Sequence, residues 1–308
     1  MKIGTNDISK IYLGGVEIEK IYLGTEQVYG GEPTPVPYDE QYLTIESLEN
    51  NNTIYIRASN TAITKTISAS TDNGSTWIEY TSTNSGSGTT IATLNAGDKV
   101  LLKGTNAAYA TTSYHNYLKS TGQFNTYGNI MSLISGDSFA NADTLTANYT
   151  FKNLFFACTG LTSAENLILP ATTLTNGCYK NMFQNCTSLT VAPELPATTL
   201  TSDCYNTMFE KCTSLTTAPT LPATTLTQYC CAQMFKYCSS LNYIKCLATN
   251  ISETGCINNW VSGVAASGTF VKAASMSSWT TGTSGIPANW TIQNDDGSPV
   301  GDNWDDQE

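Results

Sequence analysis

Residues 181–205 read NMFQNCTSLTVAPELPATTLTSDCY, and residues 207–230 read TMFEKCTSLTTAPTLPATTLTQYC. Laid over one another they repeat with a period of 26. Met182-Phe183 returns as Met208-Phe209 and Met234-Phe235. Cys178 returns as Cys204, Cys230 and Cys256, and Cys186 as Cys212 and Cys238. The segment PATTLT occupies 170–175, 196–201 and 222–227. An earlier copy ends in Leu154-Phe-Phe-Ala-Cys158 and carries two extra residues before Pro170. A late copy keeps Cys256 and puts Trp260-Val261 where Met-Phe stood. About five turns with atypical ends mark a repeat array, because the first and last units must cover an open core.

Within one unit, Cys204, Tyr205, Met208, Phe209 and Cys212 fall at i, i+1, i+4, i+5 and i+8. That spacing predicts one apolar stripe on a short helix, with Ser202 and Asp203 at its N-cap. Leu215 to Pro222 is too rich in proline for a helix and predicts a short extended segment. Strand, turn, short helix and turn every 26 residues fit a leucine-rich-repeat-type solenoid, whose units bury a core only by stacking. The expected core ladder is Cys178, Met182, Phe183, Cys186, Cys204, Met208, Phe209, Cys212, Cys230, Met234, Phe235 and Cys238.

All ten cysteines lie between 158 and 256. Eight helical residues separate Cys204 from Cys212, about 12 Å at roughly 1.5 Å per residue. A disulfide allows only about 4.4–6.8 Å between Cα atoms. Equivalent cysteines on neighbouring helices would stand about 8–10 Å apart, again too far. No C-x-x-C pair offers a zinc or redox motif. The cysteines therefore read as small apolar core residues, with no metal and no cofactor, and a cross-repeat disulfide is the lesser alternative.

The units quoted above resemble the BspA-like leucine-rich repeats of bacterial surface proteins and the related MF-x-x-C-x-S-L repeats of mycoplasma-type lipoproteins. The resemblance covers residues 125–290. It implies a right-handed strand-and-helix solenoid used for adhesion or recognition, and no enzyme activity.

Residues 1–30 hold a second repeat: Lys10-Ile-Tyr-Leu-Gly14 returns as Lys20-Ile-Tyr-Leu-Gly24. Each copy predicts a short β-run closed by glycine, hence small hairpins or a miniature β-unit. So short a unit buries too little to stand alone and should dock or oligomerise. It resembles the I-x-K-I-Y-L-G module at the start of many phage virion proteins, tail-fibre-like ones included. Gly30 to Pro37 predicts a stiff linker. The runs YLTIESL, TIYIRA, KTISAS, TWIEY, TTIATL and KVLLKG between 42 and 104 predict six short strands of a small sandwich or barrel. The expected organisation is a β-rich anchor over 1–31, a linker over 32–37 and a β-sandwich-like domain over 38–109. The solenoid comes next, over 110–290, and then an acidic tail over 291–308.

Composition narrows function. With 14 Lys and Arg against 25 Asp and Glu, the net charge is −11, and no basic run offers a footprint for nucleic acid or anionic lipid. One histidine, His115, excludes a two-histidine metal centre, and one arginine, Arg57, excludes an arginine cluster. Residues 1–15 show no apolar run or cleavage site of a secretory signal, and no window reaches the length of a membrane helix. The expectation is a chain that begins and folds in the cytoplasm. Ser70 to Trp77 matches S-x-D-x-G-x-T-W, a structural β-turn in which Asp72 ties the backbone, Gly74 takes a positive φ and Trp77 packs beneath. One copy and one arginine do not make a sialidase. His115, in a Tyr/Asn-rich loop, reads as a surface or junction residue. The tail, rich in carboxylates, lacks the calcium-loop spacing of an EF-hand and reads as solvated.

Together these readings point to a non-enzymatic phage virion protein, assembled in the host cytoplasm. Residues 1–30 would anchor it to other virion proteins, and the solenoid would meet a host-surface protein or glycan. Thr190, Thr216, Asn242 and Tyr243, beside the repeat strands, are the candidate binding face. Homo-oligomerisation is left open. A bacterial surface adhesin is the alternative, and a carbohydrate-active enzyme the third.

Overall fold

The structure, a computed structural model, describes residues 37–277 and 279–300, and within the first 36 residues the backbone of six short strands. Met1–Pro37 and Tyr38–Glu308 form two compact units. In the first, β1 (Lys2–Ile3) pairs antiparallel with β2 (Asn6–Asp7), β3 (Tyr12–Leu13) with β4 (Val16–Glu17), and β5 (Ile21–Leu23) with β6 (Glu26–Tyr29). The ten-residue repeat thus folds as successive hairpins. The linker expected over 32–37 lies, but for Pro37, outside the described residues.

Six strands open the second unit at the six expected runs. They are β7 (Leu43–Ser47), β8 (Asn52–Ala58), β9 (Thr66–Ser70), β10 (Ile78–Thr81), β11 (Thr89–Leu94) and β12 (Lys99–Lys103). Two more complete the set, β13 (Asn116–Ser120) and β14 (Phe124–Asn129). One sheet has the order β10-β9-β12-β7-β14 and the other β11-β8-β13. Along β8, Asn52, Ile54, Ile56 and Ala58 are buried while Thr53, Tyr55 and Arg57 are less so, the period of two that a sheet with one covered face demands. The boundary expected at 109/110 does not separate these sheets from the repeats. Leu118 and Phe124 are buried in strands that pair with β8 and β7, so the antiparallel part runs to Asn129.

After a single helical turn, α1 (Ser132–Ser135), the chain enters the repeats. β14 bridges the two regions. One edge pairs antiparallel with β7, and the other pairs in parallel with β15 (Leu161–Ser163) and β16 (Leu167–Ile168). One hydrophobic cluster consequently extends from Leu43 to Trp290.

The helix expected over 204–212 is absent, and a chain of linked turns replaces it. Alternate N–H groups take alternate partners. Those of Asn206, Met208, Glu210 and Cys212 donate three residues back, to Asp203, Tyr205, Thr207 and Phe209. Those of Tyr205, Thr207, Phe209 and Lys211 donate to carbonyls of the next coil, Cys230, Ala232, Met234 and Lys236. The runs 177–186 and 229–238 bond in the same way. Every fourth residue has positive φ: Asp203 (60°), Thr207 (54°) and Lys211 (62°). The apolar spacing is 4.0, the period of this turn chain, and differs from the 3.6 of an α-helix. A nine-residue helix is also marginal by itself, whereas each turn here gains cross-coil hydrogen bonds.

Stacking puts like on like. Phe155, Phe183, Phe209 and Phe235 form one ring column, with centroids 5.5, 5.4 and 5.8 Å apart and planes within 6°. Tyr109, Phe151, Tyr179 and Tyr205 form a second. Trp260 and Trp279 close the first column at the C-terminal side. The last sheet is parallel: β17 (Tyr243–Cys246), β18 (Thr269–Lys272) and β19 (Thr291–Asn294). The tail expected over 291–308 therefore begins later, because Thr-Ile-Gln-Asn pairs along β18; residues 301–308 lie outside the described ones. Among the described residues no helix is long and apolar enough to cross a membrane.

Candidate functional site

All twelve residues of the expected core ladder, from Cys178 to Cys238, are 0% exposed, which leaves them to packing alone. All ten cysteines are free and buried. Cys186, Cys212 and Cys238 donate their thiol protons to the carbonyls of Phe155, Phe183 and Phe209 in the preceding coil, at 3.1, 3.1 and 2.9 Å. Burial pushes the Cys204 and Cys212 thiols well above their ordinary range, which keeps them in the neutral thiol form. Among the described residues no group of three His, Cys, Asp or Glu side chains is placed to hold a metal ion.

Thr190, Thr216 and Asn242 are exposed and Tyr243 is half-buried. The Asn242 N–H donates to the Thr216 carbonyl at 2.9 Å, and Tyr243 pairs in parallel with Thr217. Thr190 turns its N–H and hydroxyl back onto the Thr162 carbonyl, both at 2.9 Å. Thr190, Thr216 and Asn242 share one column of the stack, and Tyr243 stands in the next with Thr217. The hydroxyl and amide groups of the first column are partly spent on joining coils.

A richer outward surface lies on the turn chains, where the sequence pointed to a helix. Lys180 pairs with Asp203 at 2.8 Å, and Asn206 donates to the same carboxylate oxygen at 2.8 Å. Gln184 donates to Glu210, Thr207 to Asn181, and Lys236 to Gln233. Tyr229 and Tyr237 stand at the rim, 38% and 47% exposed. Each has a glycine beneath it in the next coil. A Cβ on Gly255 would lie 2.3 Å from the Tyr229 ring, and one on Gly263 would lie 2.8 Å from that of Tyr237. One ion pair and several amide and hydroxyl hydrogen bonds make the surface polar, and aromatic rings edge it. The signal that marks it is the four-residue spacing of Asn, Asp, Gly, Lys and Tyr at 177, 181, 185, 203, 211, 229 and 237, all at positive φ.

The turn at 70–77 joins β9 to β10. Asp72 accepts from the Thr76 N–H and hydroxyl at 2.9 and 2.6 Å and from the Ser70 hydroxyl at 2.7 Å. Those bonds, from Thr76 first and Ser70 next, hold its carboxyl at about 2. Gly74 has φ 87° and Trp77 is half-buried beside it. His115 is remote from this turn. Its ring lies 5.4 Å from that of Tyr117 and 6.1 Å from that of Phe156, and its backbone N–H donates to the Ser59 hydroxyl at 2.9 Å. No family model matches the chain, and no curated protein or solved structure shows a significant similarity to it.

Proposed function

We propose that the chain is a non-enzymatic structural and adhesion protein of a phage virion. Its N-terminal hairpins hold it to other virion proteins, and its coils face a host-surface glycan or protein. We read the coils as a solenoid with period 26 of the leucine-rich-repeat type, related to the BspA-like repeats, in which a turn chain takes the place of the helix. The observation that carries the reading is the recurrence of outward groups at the coil spacing. Lys180, Asp203, Gln184, Gln233 and Lys236 offer donors and acceptors in rows, the buried Glu210 holds Gln184 in place, and Tyr229 and Tyr237 edge the rows. A surface periodic along one axis suits a ligand that is itself extended and periodic, and its amide and hydroxyl groups suit hydrogen bonding to it.

Immunogold labelling of intact particles, with adsorption assays in the presence of the purified protein, tests the reading. Label on particles and blocked adsorption are expected. Label on a bacterial envelope with bare particles would overturn the virion assignment in favour of a cell-surface adhesin. Turnover of a host glycan, lost on substitution of one carboxylate, would overturn the non-enzymatic one.

A further inference from the structure

A cleft of about 440 Å³ opens in the β-rich region, away from the residues just assigned to adhesion. Its walls are β9 and β10 on one side and the end of β12 with residues 135–138 on the other. Ligand sites of this kind run from about 300 to 1,000 Å³, and this one is at the scale of one or two sugar rings.

The charges around it are arranged selectively. Lys103 is the cleft's single cation, and it is engaged. Its Nζ donates to Asp137 Oδ1 at 2.7 Å and sits 4.0 Å above the Trp77 ring. Asp137 Oδ1 also accepts from the Tyr42 hydroxyl at 2.7 Å. Those partners keep the carboxyl ionised, Lys103 contributing most, and the bonds to them leave Oδ2 open on a side chain 68% exposed. On the facing wall, Glu79 is exposed and forms no ion pair among the described residues. In register it stands opposite Ser68. Thr66, Ser68 and Ser138 also line the cleft, the Thr66 hydroxyl bonded to that of Thr81 at 2.7 Å, and Asn106 is fixed by donating to the Thr66 carbonyl at 2.7 Å.

We propose that this cleft binds a neutral sugar. A carboxylate accepts from two neighbouring hydroxyls at once, and serine and threonine hydroxyls both give and accept, so the lining matches a polyol at every contact. With Lys103 neutralised by Asp137, Glu79 leaves one uncompensated negative charge. The cleft therefore rejects sulfated, phosphorylated and sialylated sugars, for which a site needs free cations. Trp77, held beneath Lys103 and edge-on to Tyr42 at 4.9 Å, is a built-in reporter.

The test is titration of the full chain, followed by amide chemical shifts and tryptophan fluorescence. The probes are methyl α-mannoside, methyl β-galactoside, methyl β-glucoside, N-acetylglucosamine and N-acetylneuraminate. At least one neutral probe should shift residues 66–79 and 103–106 with millimolar affinity, and N-acetylneuraminate should shift none. Glu79→Ala removes an exposed carboxylate, and Ser138→Trp closes the mouth from an exposed position. Each should weaken binding by about tenfold or more, the worth of one lost charged hydrogen bond. Glu165→Ala, which removes an exposed carboxylate outside the cleft, should leave the affinity unchanged. No shift at the cleft with any neutral probe up to ~50 mM, far weaker than millimolar binding, overturns the proposal. So does binding indifferent to both cleft variants. Shifts confined to coil residues would overturn this site while leaving the adhesion reading standing.

Discussion

The antiparallel sheets of residues 43–129 and the coils C-terminal to them share one hydrophobic cluster but satisfy their backbones differently. In the sheets the strands other than β14 take their partner strands from the same region, and the core is aliphatic: Leu43, Ile45, Ile54, Ile56, Val100 and Leu102. In the coils half of the turn-chain N–H groups bond locally and half bond to the next coil. Identical residues then fall one above another, and the core becomes columns of Phe, Tyr, Met and Cys. Sheet packing tolerates exchange of one aliphatic residue for another. A column of parallel rings is specified at each position by the residues above and below.

The sharpest break between the regions is therefore a truncation in each. Phe209 is 0% exposed, with Phe183 at 5.4 Å on one side and Phe235 at 5.8 Å on the other. Phe209→Ala should cost about 3–5 kcal/mol, the range for a buried phenylalanine, measured by urea unfolding. Ile56→Val in β8 should cost about 0.5–1.5 kcal/mol. A loss at Phe209 as small as that at Ile56 would show that the coils collapse around the missing ring.

The same contrast explains what was legible in the sequence. Alternation in TIYIRA or KVLLKG has one meaning, a half-buried strand, and all six such runs are strands. The hairpins of residues 2–29 follow from β-runs closed by glycine. Cys204, Tyr205, Met208, Phe209 and Cys212 admit two meanings. A spacing of four lies close to the helical 3.6, and only the residues at 203, 207 and 211 reveal the turn chain. Asp and Lys there are unremarkable one at a time, and Thr207 argues against positive φ, because β-branched residues rarely adopt it. The outward surface was hidden for the same reason. A helix would put Lys180 and Gln184 on one face as well, so their local spacing does not tell the two surfaces apart. The cleft left no local trace, since Glu79, Lys103 and Asp137 meet only through the sheet order.

Where the two regions join, acidity should loosen them. His115 precedes β13 and lies against Phe156 of the first coil, and burial, with Lys152 nearby, lowers its pKa from 6.5 to about 4. The unfolded chain therefore takes up the proton first. The stability that the neutral ring allows is complete above pH 6.5 and falls as the pH drops from there towards 4. With the ring partly open to solvent, the loss is about 1–2 kcal/mol. Denaturation midpoints of wild type and His115→Gln, taken across that window, should converge as the pH falls. Parallel curves would remove His115 from the acid response.

A smaller effect has the diagnostic sign. Lys211 is exposed at φ 62°, in the column that holds Asn185 one coil before and Gly263 two coils after. In a helix, Lys211→Gly would destabilise by about 1 kcal/mol. At a left-handed position it relieves a strain of about 1–2 kcal/mol and gives back part of that as backbone entropy, so a gain of up to about 1 kcal/mol is expected. A thermal melt of the variant decides between helix and turn chain by direction alone.

The smallest expected effect is none at all, and it bears on how the coils are held. Ten cysteines in a stack of about five units invite a disulfide-stapled reading. The geometry argues otherwise. The Cys230 and Cys231 sulfurs lie 3.7 Å apart, well beyond the roughly 2.05 Å of a bond, and both thiols are buried. Cys186, Cys212 and Cys238 spend their protons on carbonyls of the coil before, tying units together without oxidation. A reductant should therefore leave the melting temperature of the coils where it was, and the native chain should resist a thiol reagent until it unfolds, when all ten react. A fall in melting temperature on reduction, or rapid labelling of the folded protein, would mean that covalent links or open thiols hold the coils in place of packing and these hydrogen bonds.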